Sequence, residues 1–346
     1  MGRTSAVGSA RAAVRIDRVT FTAVAGGGGE RGDHDVHYTE MPKLYSTVGR
    51  VIAVTSCKGG VGKSTVSARL AFRLAARGHR VGLFDADVHG PSLPTQLPEL
   101  NGSKIALGDR GWSVEPLIHE GVKLMSFGWF SASWGVKDGE VRTLAAAPLA
   151  FQLLHTTEWA DLDYLIIDSP PGTGDIPRAL YTRIPLAGAL VVTTPSRLAT
   201  VDVVRGVKML LRLGVPILSV VENMSSFTCD AGKVYHPFGR GHLEEVLASA
   251  CGGGGGGAAA AAVTGPTAAD NDVPSFRLPI VAADGDTGVM ALSSSQEAEM
   301  AKHFDEIAAA VEAATADANA VELPHQLPSH ELPHWPTIMA TNELFR

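Results

Sequence analysis

The sequence predicts an α/β fold: a doubly wound, mainly parallel sheet with helices on both faces. Three features carry this expectation. Short apolar, β-branched runs recur at 51–55, 80–84, 164–167, 189–193 and 216–221, as strands buried on both faces require. Between and after them lie segments of helical spacing: Val66, Leu70 and Leu74 in the first, Met300, Phe304, Ile307 and Val311 in the last. Strands that alternate with helices pair in parallel, and right-handed crossovers put their carboxyl ends on one edge of the sheet.

Composition sets the outer limits. The 346 residues are 45% hydrophobic and 19% charged, enough for one large α/β domain with extensions. A net charge of −7 argues against nucleic acid as the main partner. No run of 18 apolar residues occurs, so membrane insertion is not expected. The three cysteines, Cys57, Cys229 and Cys251, are too few and too odd in number for a disulfide framework, which points to a reducing compartment.

Residues 1–45 read as a leading segment and linker, 46–312 as the main domain, and 313–346 as a tail. Up to residue 25 the leader carries Arg3, Arg11, Arg15 and Arg18 against one acid, Asp17. That composition fits an organellar transit peptide. The stretch 14–25 also alternates partly like a strand, so a shortened structural segment is the competing reading. The glycine-rich 26–32 is a flexible linker.

The main domain opens on V-I-A-V-T-S-C-K-G-G-V-G-K-S-T, residues 51–65. A buried strand, a glycine turn and a helix over 64–77, stopped near Gly78, make a phosphate cradle. Backbone N–H groups converge on the anion, and the helix dipole favours its charge. The candidate cofactor-binding residues are Cys57, Lys58, Gly59, Gly60, Val61, Gly62, Lys63, Ser64 and Thr65. Lys63 should reach the β- and γ-phosphates of ATP, and the Ser64 hydroxyl should bind Mg²⁺. The general phosphate-loop pattern wants glycine at position 57. Here it is Cys57, followed by a second lysine, Lys58.

The next strand ends in D-A-D-V-H-G-P-S, residues 85–92, with Asp85 and Asp87 where parallel sheets bind ligands. A strand at 122–127, a loop at 108–112 and a helix at 149–157 follow. The clearest buried strand, 164–167, runs into D-S-P-P-G-T-G-D. An acid ending such a strand is the Mg²⁺-holding arrangement, which assigns Asp168 to the metal. Pro170, Pro171, Gly172 and Gly174 shape a loop where a switch would sit. A helix over 198–213 ends at Gly214, and the strand at 216–221 leads into E-N-M.

Residues 251–273 are low-complexity and read as an insertion without a core. The sheet resumes at 278–281. A last helix over 297–314 reads as docked, its exposed face acidic rather than basic. The tail repeats L-P-H, with His325, His330 and His334. A disordered proline-rich tail is favoured there over a metal site.

Four blocks coincide in order: S-C-K-G-G-V-G-K-S-T, F-D-A-D-V-H-G-P-S-L-P, L-D-Y-L-I-I-D-S-P-P-G-T-G-D-I, and V-V-T-T-P with V-V-E-N-M. Together they resemble the Mrp/ApbC family of iron–sulfur cluster carrier ATPases, within the MinD/ParA class of deviant phosphate loops. The resemblance covers 46–247 and, more weakly, 276–312. Cys57 and K-V-Y-H-P-F-G-R-G look most like the plastid branch. The stretch 14–25 looks like the last strand of a small domain that precedes the ATPase in some members.

The resemblance implies a MinD-like P-loop NTPase fold, a homodimer, and slow ATP hydrolysis with Lys58, Lys63 and Asp87 as the catalytic set. Lys58 would cross the dimer interface to the partner's nucleotide. Asp87 would position the attacking water, and Asn223 would read adenine. A [4Fe-4S] cluster would sit at Cys229 and pass to apo iron–sulfur client proteins. The implied location is the chloroplast, with mitochondrion or cytoplasm as alternatives. Three departures stand out. The family's C-x-x-C reads Cys229-Asp230-Ala231-Gly232, its R-G-P segment reads R-T-L-A-A-A-P at 142–148, and 251–273 is inserted. Two other functions compete. A positioning ATPase of the MinD or ParA kind needs a basic amphipathic terminus or face, and neither is visible. A nucleotide-binding interaction protein that has lost cluster binding is the other.

Overall fold

A computed structural model describes residues 48–108, 113–134, 146–241, 243, 273–281, 292 and 294–318. The leading segment, residues 251–272 and the His-containing tail lie outside the described residues, as do Cys251 and most of 142–148.

The strands are β1 (Val48–Thr55), β2 (Val81–Asp85), β3 (Leu117–His119), β4 (Val122–Ser126), β5 (Leu162–Asp168), β6 (Gly188–Thr193), β7 (Ile217–Glu222), β8 (Phe227–Thr228), β9 (Val234–Tyr235) and β10 (Ser275–Arg277). The helices are α1 (Lys63–Ala76), α2 (Leu93–Gln96), α3 (Phe127–Trp134), α4 (Ala146–Thr156), α5 (Asp175–Arg183), α6 (Arg197–Arg212) and α7 (Ser294–Thr315). Among the described residues, eight strands form one sheet in the order β10-β7-β6-β1-β5-β2-β4-β3. Every pairing within it is parallel except β3 with β4, and β8 and β9 form a separate antiparallel pair. The expected doubly wound, mainly parallel sheet is what forms.

The winding places the site. From β1 the chain crosses by α1 to β2, on one side of β5. From β5 it crosses by α5 to β6, on the other side of β1. Right-handed crossovers in opposite directions put α1 on one face of the sheet and α5 and α6 on the other. Ligands bind outside the strand ends where the direction reverses, here at β1 and β5. Those ends are level: Asp168 is in register with Val54 on one side and Asp85 on the other.

The central strands are buried on both faces. Ile52, Ala53, Val54, Leu165, Ile166, Leu190, Val191, Val220 and Val221 are all fully enclosed, which explains their continuous apolar runs. Helix α1 buries Val66, Leu70 and Leu74. Helix α7 lies against it and buries Phe304, Ile307 and Val311. Each such side chain stabilises the docking by about 1.5–3 kcal/mol.

Charge then aligns the pair. Arg69 Nη1 donates to both Glu297 oxygens at 3.0 Å, while Arg73 is bidentate to Asp305 and Arg77 to Glu312, the last at 2.9 and 2.7 Å. The Arg50 guanidinium donates to the Thr315 carbonyl at 2.6 Å, capping the end of α7. Glu297, Asp305 and Glu312 are therefore shared with α1, while Glu299 and Glu306 are exposed. The helix is docked, as anticipated, and its acids divide between its neighbour and the exposed face.

Several boundaries move. Helix α4 starts at Ala146 rather than 149, since Pro148 in a first turn lacks only an N–H that is unpaired anyway. Phe127 opens α3 instead of ending β4. The sheet resumes at Ser275–Arg277, not 278–281; Ile280 makes an isolated bridge to Phe227 instead. Strand β3 and helix α5 had no clear periodic signal. A hairpin turn at Glu120 and Gly121, with φ of 47° and 79°, creates the antiparallel edge.

Candidate functional site

The glycine turn leaves β1 at Thr55 and enters α1 at Lys63. Gly60 and Gly62 hold φ of 76° and 82°, a region that glycine enters without the steric cost of a Cβ. At Gly62 a Cβ would also overlap the Asn223 amide. The turn is braced from three sides. The Ser56 hydroxyl donates to the Lys58 carbonyl at 2.8 Å. The Asn223 amide donates to the Val61 carbonyl at 2.9 Å. The Gly172 N–H donates to the Ser56 carbonyl at 2.8 Å, tying on the loop after Asp168.

Beneath the turn lies a buried charge pair. Lys63 Nζ sits 2.6 Å from Asp168 Oδ1 and 3.1 Å from Ser64 Oγ. The Ser67 hydroxyl donates to the same Asp168 oxygen at 2.7 Å. Asp168 Oδ2 is buried with no hydrogen-bond partner. The orphaned Asp168 oxygen and Ser64 Oγ, which shares Lys63 Nζ with Asp168, are hard oxygen donors, and their chemistry fits Mg²⁺.

Asp85 is the neighbour of Asp168 across the strands. It accepts from the N–H groups of Asp87, Ser92 and Leu93 at 3.1, 2.8 and 3.2 Å, and from the Ser126 hydroxyl at 3.1 Å. Burial, and then the charge of Asp168, push its carboxyl well above the usual range. Asp85 thus shapes the loop that carries Asp87. Asp87 itself caps Gly90 N–H at 3.0 Å and stays partly exposed at the strand ends. On the far side, the Tyr181 hydroxyl donates to Thr55 Oγ1 at 2.7 Å. Burial pushes that phenol up to about 12, so it stays protonated.

Lys58 and Cys57 face α6. Lys58 Nζ lies 3.3 Å from Asp202 of the same chain. Cys57 packs against Gly206, and burial pushes its thiol up to about 11. Cys57 therefore contributes backbone, not a thiolate, to the cradle. Asn223, expected at adenine, here spends its amide on the loop.

Cys229 stands apart, in the β8–β9 hairpin that follows β7. Its N–H donates to the Lys233 carbonyl at 3.0 Å, and Gly232 N–H returns to the Cys229 carbonyl at 2.8 Å. The thiol is partly exposed, and Val234, Tyr235 and Phe238 around it are about half exposed. Among the described residues, no group of three or more His, Cys, Asp or Glu could hold a metal ion.

So the sheet gathers Lys58, Lys63, Ser64, Asp87, Asp168 and Asn223 at one edge. Cys229 lies beyond it. Ser67, Asp202, Gly206 and Tyr181 were not legible as site residues. Only Ser67 carried a signal, one helical turn after Lys63.

The chain matches a known family. The description "ParA: NUBPL iron-transfer P-loop NTPase" matches residues 47–312. The chain belongs to this family. It is 41% identical over 280 residues to a rice protein (Oryza sativa subsp. japonica) named Fe-S cluster assembly factor HCF101, chloroplastic, covering 79% of this chain and 47% of that one. It is 41% identical over 223 residues to the iron-sulfur cluster carrier protein of Pseudomonas fragi, covering 61% of this chain and 75% of that one. Among solved structures, a nucleotide-binding protein of Archaeoglobus fulgidus in complex with ADP superposes with a TM-score of 0.54 at 29% identity, covering 83% and 96% of the two chains. The chain spans about half the length of its rice relative. No helix among the described residues is long and apolar enough to cross a membrane.

Proposed function

We propose that this chain is an ATP-hydrolysing scaffold and carrier that assembles [4Fe-4S] clusters and passes them to apo iron–sulfur proteins, working as a homodimer. The observation that supports it most directly is the buried Lys63–Asp168 contact under the glycine turn, with a second Asp168 oxygen left unpaired and Ser64 Oγ on the same lysine. A triphosphate in the turn competes with Asp168 for Lys63. Mg²⁺, held by Ser64 and Asp168, would neutralise phosphate charge and compensate the carboxylate that Lys63 leaves behind.

Asp87 sits on the loop shaped by Asp85 and orients the attacking water. Its amide analogue cannot accept a proton in the same way. Lys58 crosses the two-fold axis to the partner's nucleotide, which makes hydrolysis depend on dimerisation. Asn223 holds the turn closed through Val61 and would read the adenine. Gly172 and the loop it belongs to report the state of the phosphates to α5.

The cluster is cargo. By likeness to the family, Cys229 would lie near the two-fold axis and meet its copy there, supplying two soft thiolates. Four is the usual count. The other two come from Cys251, a small thiol or the client, so the cluster is labile and suited to transfer. Nucleic acid has no part in this proposal, given the net charge of −7. The proposed location is the chloroplast, by likeness to the rice relative, and a fluorescent fusion would test it.

The deciding experiment is anaerobic reconstitution with iron and sulfide, followed by Mössbauer spectroscopy and transfer to an apo [4Fe-4S] enzyme. The wild type should take up an oxygen-sensitive [4Fe-4S] cluster and activate the enzyme. Cys229→Ser should lose it. An equal signal in both would clear Cys229 of any role. No cluster in either would overturn the carrier reading and leave an ATPase.

A further inference from the structure

We propose that Gly206 is a positioning residue for the phosphate turn: its missing side chain forms the slot that seats Cys57, and so sets the turn and Lys58 against α6. The proposal rests on the nucleotide-binding reading of that turn.

Gly206 lies in the interior of α6 and is buried. Glycine there is disfavoured against alanine, because its backbone has more freedom to lose. Packing explains why it is present. A Cβ on Gly206 would overlap the sulfur of Cys57, while the Cys57 Cβ would be 4.0 Å away, in ordinary contact. The conflict is with the sulfur alone. The general phosphate-loop pattern has glycine at 57, where no side chain needs a slot. In this chain the larger residue in the turn and the smaller one in the helix fit each other.

The same helix grips the next residue of the turn. Asp202, one helical turn before Gly206, holds Lys58 at 3.3 Å. Thr173 borders the slot, its Cγ2 4.0 Å from where a Cβ on Gly206 would be. Helix α6 thus touches Cys57, Lys58 and the loop after Asp168 together. Enlarging Gly206 pushes the sulfur, and with it the turn, away from the helix.

The test compares Gly206→Ala with the double variant Gly206→Ala/Cys57→Ala, using two readouts. The first is affinity for a fluorescent ATP analogue. The second, read in the wild type and the single variant, is the rate at which iodoacetamide labels Cys57, followed by peptide mass spectrometry. In Gly206→Ala, affinity should fall roughly tenfold, as expected of a modest overpacking. Labelling of Cys57 should speed up about tenfold as the sulfur leaves its enclosure. The melting temperature should stay within about 3 °C of wild type, because helix propensity now favours the variant. The double variant should recover affinity to within about twofold, since its two Cβ atoms can coexist.

Unchanged affinity and labelling in the single variant would overturn the proposal. So would a loss of affinity that the double variant does not recover. If the single variant does not fold, the double must fold, and its failure would also overturn the slot. Labelling needs no nucleotide. A wild type that binds no ATP would therefore defeat the nucleotide reading while the labelling rates still decide the slot.

Discussion

Lys58 Nζ rests 3.3 Å from Asp202 Oδ2 on helix α6 of its own chain. Asp202 is also 3.5 Å from Arg205. A lysine proposed to act on a partner's nucleotide is thus held at home by a partly exposed ion pair. Such pairs contribute up to about 1 kcal/mol. Asp202→Ala should release Lys58 and tighten ATP-dependent dimerisation by about two- to fivefold. Sedimentation velocity across a concentration series with ATP checks this. A dimer constant equal to wild type would show that the intrachain pair does not compete.

Lys63→Ala should abolish binding of a fluorescent ATP analogue, because the turn loses its phosphate-reaching charge. It should also destabilise the protein without nucleotide. Asp168 is fully buried, and removing its cation leaves an uncompensated charge, at a cost of about 3–5 kcal/mol. Thermal melts read this second effect. A variant that loses ATP but keeps its melting temperature would contradict the pairing.

The two aspartates should separate by readout. Asp87→Asn is expected to lower the rate of hydrolysis by about 10²-fold or more while ATP still binds. Asp168→Ala should weaken binding only when Mg²⁺ is present, since its free oxygen is assigned to the metal. Phosphate release and Mg²⁺-dependent titrations distinguish them. Wild-type turnover in both would refute the active-site assignment.

Acid should loosen the grip between α1 and α7. Hydrogen bonds from Arg77, with His79 adding to them, pull the Glu312 carboxyl down from 4.5 to about 2. Because the native value is depressed, this contribution is present above pH 4.5. It fades as pH falls from there toward 2, where the native carboxylate also takes its proton. Wild type should therefore melt higher than Glu312→Gln at pH 6, and the gap should narrow through pH 4 and 3. A gap independent of pH would assign the effect to packing.

Much of this architecture was legible because its information is local. The stretch 51–65 contains strand, turn and helix start in one contiguous run, so Lys63 and Ser64 could be placed by spacing alone. Asp168 follows an apolar strand directly, and the alternation of strands and helices leaves little choice of topology. Helix α7 was legible from Met300, Phe304, Ile307 and Val311, since burial of one stripe imposes that period. Less regular elements were hidden. Strand β3 has only three residues, and α5 carries a proline in its first turn, so neither yields a countable period.

The amino-acid order therefore specified the fold class, the phosphate turn, the acids at the strand ends and the missing second cysteine near Cys229. Folding settled which of these groups touch. The partners are far apart in the chain: Lys63 with Asp168, Asn223 with Val61, Lys58 with Asp202, Cys57 with Gly206. Spacing within a segment says what a backbone will do over a few residues. It is silent on which side chains meet once crossovers bring distant segments to a common edge. Gly206 illustrates the limit: in sequence it is a weak point in a helix, and in space it is room for a sulfur atom.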